Sequence, residues 1–526
     1  MSKFKEEFPA VPLDSPLGSV KEDVMDKDKP DPIELVPLDP EAAVVEEHPR
    51  LSTPRIVALA AGMMMTFFVG SASTASVILL IPSMARDLRE TELQTQWISS
   101  AYTLAFACGL LFAGRLADIF GRRRLYMFGV TIYTIFSIIT GSVKNRIAMC
   151  VTRAISGLGM SIALPAGFGI VGTNIKHEPA RTIVFATFGL GNPIGAASGS
   201  LLGGGMASIG AGAWQYLFYL LAGIVTLLGV ASYFIIPPDR PNPTADRRID
   251  WLGGALVTAG VFLFTFSLTE SGHAVNSWRT PYVPALLATS IVLLVLFVLW
   301  SRYLENHTDR PPVMKMSLFS RRHGLVSIIC ITSTCQSTAV SSWVYTTTIF
   351  YQKYKGQSPF QNSISILTTT IMGVVAALGV MLLAPRVHAR ILLPSTAVLT
   401  ASTMIAYANW PEGLTFWALE FPSQILTPWG IDFTFGLGNI MMSNLINQNE
   451  QSVGGALFQT SAQVGLALGI CLASLINSQV EEQTGNVLKG CRAGFWFGSA
   501  MGISVVIIGA IGFRKVKLAK DVGKLP

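Results

Sequence analysis

The chain has 526 residues, of which 51% are hydrophobic and only 13% charged, with 48 glycines and six cysteines. A soluble domain carries about twice that charged fraction, so an ordinary soluble enzyme or binding module is excluded. The net charge of +7 is dispersed over the ends of apolar runs and gathers on no single face, which excludes a nucleic-acid-binding surface.

Residues 1–51 are rich in Pro, Asp, Glu and Lys and contain no apolar signal segment, so they are expected to form a disordered cytoplasmic tail. From Ile56 to Phe513, apolar runs recur at the length of a membrane-spanning helix, about 20 residues. A first six fall at about 56–82, 93–113, 123–142, 147–171, 182–206 and 213–236, giving a six-helix bundle over 52–236. Residues 237–302 hold a Pro- and Arg-rich linker and two further spans, and 303–323 a basic cytoplasmic loop. A second six follow over 324–513, at about 324–349, 362–384, 391–408, 416–441, 452–478 and 493–513. The basic tail 514–526 is expected to lie against the inner leaflet.

This reading gives an all-α polytopic membrane protein with 14 transmembrane helices, two six-helix bundles plus two extra central helices. Lys and Arg concentrate in alternate loops, which puts both termini in the cytoplasm. The sequon Asn306-His307-Thr308 then falls on the cytoplasmic side and should stay unglycosylated. The cysteines are scattered through apolar runs without metal-ligand or disulfide spacing.

Several polar residues stand out against this apolar background. The stretch Gly114-Arg115-Leu116-Ala117-Asp118-Ile119-Phe120-Gly121-Arg122-Arg123-Arg124 reads as a tight basic loop between spans two and three. Gly114 and Gly121 allow close approach and reversal, while Asp118 can pair with an arginine or a helix N-terminus, a charge latch with Arg122 and Arg123 as partners. Arg153 lies inside the fourth span, where a guanidinium must face a cavity or a partner. In the fifth span, Gly191-Asn192-Pro193-Ile194-Gly195 combines small residues with a proline that bends the helix. Asp432 stands in an apolar span with no Lys or Arg nearby, a carboxylate able to exchange a proton as a cavity changes sides; Glu420, in the same span, is a second candidate. A hydrogen-bonded structural carboxylate is the alternative for Asp432. Trp97, Tyr102, Gln336, Trp343, Tyr345, Asn439, Gln459 and Gln463 suit the lining of a largely apolar substrate cavity, although the two tryptophans equally suit an interfacial belt.

The pattern G-x-L-x-D-x-x-G-R-R at Gly114–Arg123 resembles the loop between helices 2 and 3 of the major facilitator superfamily. Arg153-Ala154-Ile155-Ser156-Gly157-Leu158-Gly159 resembles the family's helix-4 pattern R-x-x-x-G-x-G, linked to proton transfer or substrate contact, and the helix-5 segment resembles its antiporter motif, with Asn192 in place of glycine. The 6 + 2 + 6 arrangement resembles the 14-span drug:proton antiporter branch, and the whole chain resembles fungal exporters of the aminotriazole-resistance type, a group that also includes low-affinity ammonium permeases. In helix 1 the branch has an aspartate where this chain has Ser73. The degenerate echo of the basic loop at Ala384–Arg390 fits two duplicated halves rocking about a central site.

The resemblance implies a plasma-membrane secondary transporter that exports drugs, toxic compounds or secondary metabolites by alternating access in exchange for protons. An uptake or facilitative permease for a small solute such as ammonium, and a transporter-like sensor, are the alternatives. Neither a cofactor nor a nucleotide is implied, since the chain lacks a phosphate-binding G-x-x-x-x-G-K-[ST] loop, and no assembled nucleophile, base and orienting group suggests an enzyme. Oligomeric state is not indicated by any stretch.

Overall fold

A computed structural model describes residues 52–175, 177–178, 180–239, 247–272 and 277–524. The expected tail 1–51 and residues 240–246 of the expected linker lie outside the described residues.

The described chain is helical throughout. The first six long helices are α1 (Thr53–Leu88), α2 (Glu92–Phe120), α3 (Arg122–Ser142), α4 (Arg146–Asn174), α5 (Ala180–Ile209) and α6 (Trp214–Ile235). A pair follows, α7 (Trp251–Ser271) and α8 (Tyr282–His307). The remainder is α9 (Arg321–Ile349), the short α10 (Pro359–Ser365), α11 (Leu367–Leu383), α12 (Ala389–Ala408), α13 (Glu420–Leu445), α14 (Gln451–Thr484) and α15 (Val487–Gly512). Polar side chains set many of the starts: Thr91 and Gln94 form a capping box on α2, and Asn145, Asp250 and Asn486 cap α4, α7 and α15.

Twelve of the described helices are long and apolar enough to cross a membrane. The two other long helices, α5 and α13, fall short of that apolarity. One is diluted by glycine and the other by Glu420, Gln424, Asp432 and Asn439, several of which the sequence singles out. The sequence-based limits also shift at the basic stretch. Rather than a loop from Gly114 to Arg124, α2 continues to Phe120 and α3 begins at Arg122, so the reversal is made by Gly121 alone, at φ +107°. That backbone angle suits only glycine without strain.

The two groups of six repeat one packing scheme. In the first, α1 packs on α5, α2 on α4, α3 on α4 and α3 on α6; in the second, α9 packs on α14, α11 on α13, α12 on α13 and α12 on α15. Between the groups α2 meets α14 and α5 meets α11, a crosswise pairing of second with fifth helices. The α7–α8 pair sits beside this seam, with α7 against α2 and α14. The end of the chain departs from its expected place on the leaflet: Val516, Ala519 and Val522 are buried, and the Ala389 N–H donates to the Lys517 carbonyl at 2.7 Å. Three apolar residues at helical spacing are better satisfied against the protein than against headgroups.

Within the first group, glycine decides how close two helices come. Gly191, Gly195, Gly199 and Gly203 of α5 face the carbonyls of Met64, Phe68, Ala72 and Ser76 of α1, and a Cβ at any of them would stand 2.3 to 2.5 Å from a carbonyl oxygen. This four-residue ladder brings the backbones into contact over the middle of both helices.

Candidate functional site

Functional side chains occupy three levels along the bundle. At the end that carries the basic stretch, Asp118 Oδ1 accepts from Arg122 Nη2 at 2.7 Å and Nε at 2.9 Å. The same carboxylate accepts the backbone N–H groups of Ser452 (3.3 Å) and Val453 (3.2 Å), closing the first turn of α14. A carboxylate there meets the positive end of the helix as well as its unpaired donors. Arg122 crosses the seam too, donating to the Gln448 carbonyl at 2.6 Å and to Ser452 Oγ at 3.2 Å. Gly114 does not turn the chain; it admits α14, because a Cβ there would lie 2.8 Å from the Ser452 carbonyl oxygen.

Arg123 serves a different partner. Its guanidinium stacks 4.7 Å from the Tyr233 ring centre and donates to the Tyr233 carbonyl, while Asp239 accepts from the backbone N–H groups of Arg123 (2.9 Å) and Arg124 (3.1 Å). The latch therefore divides into an Asp118–Arg122 part that ties the two groups together and an Arg123 part internal to the first. A further tie spans the seam where Arg181 of α5 donates to Ser443 Oγ (2.6 Å) and to the Ser443 carbonyl (2.9 Å) of α13. Glu450 beside it pairs with Lys315 (3.0 Å) and Arg321 (3.1 Å). Sequence reasoning missed Arg181, Asp239 and Glu450, which stand in ordinary polar loops or helix ends with no motif to mark them.

At mid-depth Asp432 is 8% exposed and makes no hydrogen bond or ion pair among the described residues. Its Oδ2 lies 3.4 Å from where a Cβ would stand on Gly373 of α11, and Pro193 Cβ lies 3.0 Å from the same point. The bent segment of α5 and the lone carboxylate of α13 thus meet across a single glycine, at the seam between the groups. Asn192 is exposed, and its carbonyl accepts from Ser71 Oγ at 2.8 Å. Gln336 and Asn439 are fully buried with neither side-chain amide atom hydrogen-bonded among the described residues. Gln336 lies against Gly430, two residues before Asp432. Gln459 is buried and Gln463 half-buried along α14. Buried amides without partners are costly, and their supply by solvent or ligand is the usual resolution.

The other predicted cavity residues lie elsewhere. Trp97 packs on Phe266 of α7 at 5.5 Å between ring centres. Trp343 stands edge-on to Tyr407 within an aromatic cluster of Phe350, Tyr351, Tyr407, Trp410 and Phe495. Tyr345 donates to Ser474 Oγ at 3.1 Å.

Glu420, at the far end of α13 from the latch, is 0% exposed and not alone: Lys355 Nζ forms an ion pair with it, and Tyr351 Oη donates at 2.7 Å. The Lys355 ammonium lies 5.1 to 5.4 Å from the ring centres of Phe350, Tyr351 and Trp410. This carboxylate has the geometry of a structural tie.

Arg153 is enclosed within the first group. Its Nη1 donates to Ser73 Oγ at 2.8 Å and its Nε to the Ile98 carbonyl at 3.3 Å, with the Tyr102 ring centre 4.4 Å from the guanidinium carbon. Ser73, where the resemblance expects aspartate, is thus the residue that this arginine touches.

Residues 62–470 match the family described as the Major Facilitator Superfamily. The low affinity ammonium transporter of Saccharomyces cerevisiae is 32% identical over 431 residues, 78% of this chain and 80% of that protein. The efflux pump terJ of Aspergillus terreus is 25% identical over 456 residues, 84% of this chain and 85% of that protein. In fold the chain is similar to the proton:xylose symporter XylE, with a TM-score of 0.63 over 90% of this chain and 100% of that one at 12% identity. With its all-helical, membrane-spanning architecture and this match over most of its length, the chain belongs to the major facilitator superfamily and is a transporter of small molecules, not an enzyme.

Proposed function

We propose that this transporter exports small organic molecules by proton-coupled antiport, with 14 spans, both termini cytoplasmic and the plasma membrane as its site. The bundles 52–236 and 324–513 are the moving halves, 237–302 holds the inserted pair, and 303–323 and 514–526 are cytoplasmic. The observation that carries the reading is Asp432, a carboxylate at the seam with no partner among the described residues, set with Pro193 of α5 around Gly373 of α11. A carboxylate so placed can trade a proton with whichever side the cavity faces. Arg153 and the amides of Gln336, Asn439, Gln459 and Gln463 complete the reading, as coupling and substrate-contact groups respectively.

One structural feature supports alternating access. Between the latch and Asp432, Phe67, Phe188, Phe435 and Phe458 form a continuous run of ring contacts at 5.6 to 5.9 Å that crosses from one half to the other. The layer stands between Asp432 and the basic end, which supports reading the arrangement as a state closed at that end.

A facilitative or uptake permease is the second reading, favoured by Ser73 in place of a helix-1 carboxylate and by the name of the ammonium transporter relative. Flux of labelled ammonium analogues and cationic drugs into sealed vesicles, with and without a pH gradient, separates the two. Antiport predicts gradient-driven flux that Asp432→Asn abolishes. Flux indifferent to both gradient and substitution sinks antiport and leaves the permease.

A further inference from the structure

Arg153 is 1% exposed and, among the described residues, makes no ion pair. Its Nη2 has no hydrogen-bond partner among the described residues, and neither has the buried Tyr102 Oη, while Tyr133 Oη stands beside Ser73 and Ser137. Tyr102 lies under the guanidinium, its ring edge-on to that of Tyr133 at 6.4 Å between centres. Ser137 follows Tyr133 by one turn of α3. Phe218 closes another side, with its ring centre 5.6 Å from the guanidinium carbon. Five helices of the first half, α1, α2, α3, α4 and α6, therefore surround one positive charge.

Aromatic faces offset part of a buried cation's cost, but they supply no net negative charge. Two carboxylates at this end of the half are engaged elsewhere, and a third, Glu92, is exposed on the surface. Asp87 accepts from the Gly212 N–H (2.7 Å) and Trp214 Nε1 (2.9 Å), and Glu90 pairs with Arg146 at 3.2 Å. A desolvated guanidinium without a counter-charge is among the most costly arrangements in a protein interior. All the groups named are donors that suit a negative, spherical ligand.

We propose that Arg153, Ser73, Tyr102 and Tyr133 enclose a binding site for a small monovalent anion of halide size, which supplies the counter-charge that no neighbouring side chain provides. Arg153 lies seven residues from the start of α4, about 10 Å along the helix, nearer the end opposite the latch. This inference shares Arg153 with the proposed coupling role but does not depend on the substrate or the direction of transport.

The test is the thermal unfolding of the purified, detergent-solubilised full-length protein at constant ionic strength, exchanging gluconate for chloride. Chloride is expected to raise the Tm of the wild type by a few degrees and saturably, as ligand linkage requires. Ser73→Asp places a carboxylate against Arg153, so this variant should unfold in gluconate no lower than the wild type in chloride and should not respond to the exchange. Ser73→Ala, which leaves the charge uncompensated, should still respond. A wild-type Tm that is flat, or that drifts without saturating, overturns the site whether or not Ser73→Asp folds. A chloride response of equal size in Ser73→Asp overturns it as well.

Discussion

Two carboxylates of one helix, twelve residues apart, receive opposite treatment. Glu420 is held by Lys355, Tyr351 and an aromatic cage, whereas Asp432 faces a glycine and a proline. Breaking a buried pair by removing one partner costs about 3–5 kcal/mol, and the partial exposure of Lys355 puts this pair at the lower end. Glu420→Gln should therefore lower the Tm clearly while leaving gradient-driven flux in place. Loss of the pH response with an unchanged Tm would instead give Glu420 the coupling role. The sequence shows both acids inside apolar runs, but the partner that separates them, Lys355, is 65 residues away along the chain.

Helix-level features follow from how closely backbones approach. On α5 a methyl group at Gly195 would meet the Phe68 carbonyl oxygen at 2.4 Å, while at Gly205 nothing lies within 4 Å. Gly195→Ala should destabilise by about 1–3 kcal/mol through forced separation of α1 and α5. Gly205→Ala should be neutral or stabilising by about 0.5–1 kcal/mol, since alanine favours the helix. Thermal unfolding of the pair checks the contrast, and equal effects would remove the ladder as the reason for the glycines. The spacing of these glycines is visible in the sequence, as is the proline among them. Which helix they admit is not, because any small-residue face could serve α1, α11 or a lipid tail equally well.

At the scale of the whole molecule, Asp118 joins the two halves, alongside Arg122 and the Arg181–Ser443 tie. Neutralising it leaves Arg122 without a carboxylate and the first turn of α14 without a charged acceptor. Asp118→Asn should shift the population toward a state open at the basic end. Spin labels on the exposed Arg124 and Asn449, in a background without the six native cysteines, should report a distance longer by several ångström. An unchanged distance distribution would mean that the aromatic layer and Arg181–Ser443 hold that end closed unaided.

The amino-acid sequence by itself determined the all-helical membrane fold, the basic stretch and the residues worth asking about. Each of these is a local property: an apolar run long enough to span a bilayer, a glycine where the backbone reverses, a charge where lipid forbids one. The tertiary structure alone decided the partners. Asp118 reaches Val453 across 335 residues and Arg181 reaches Ser443 across 262, separations over which the intervening helices, and not the sequence pattern, set direction and register. Tertiary packing likewise set Gly114 against α14, brought Lys355 and Tyr351 to Glu420 and left Asp432 without a hydrogen bond among the described residues. A side chain's chemistry is written in its own residue, but the surroundings that give it a role are built by helices that meet only once the chain is folded.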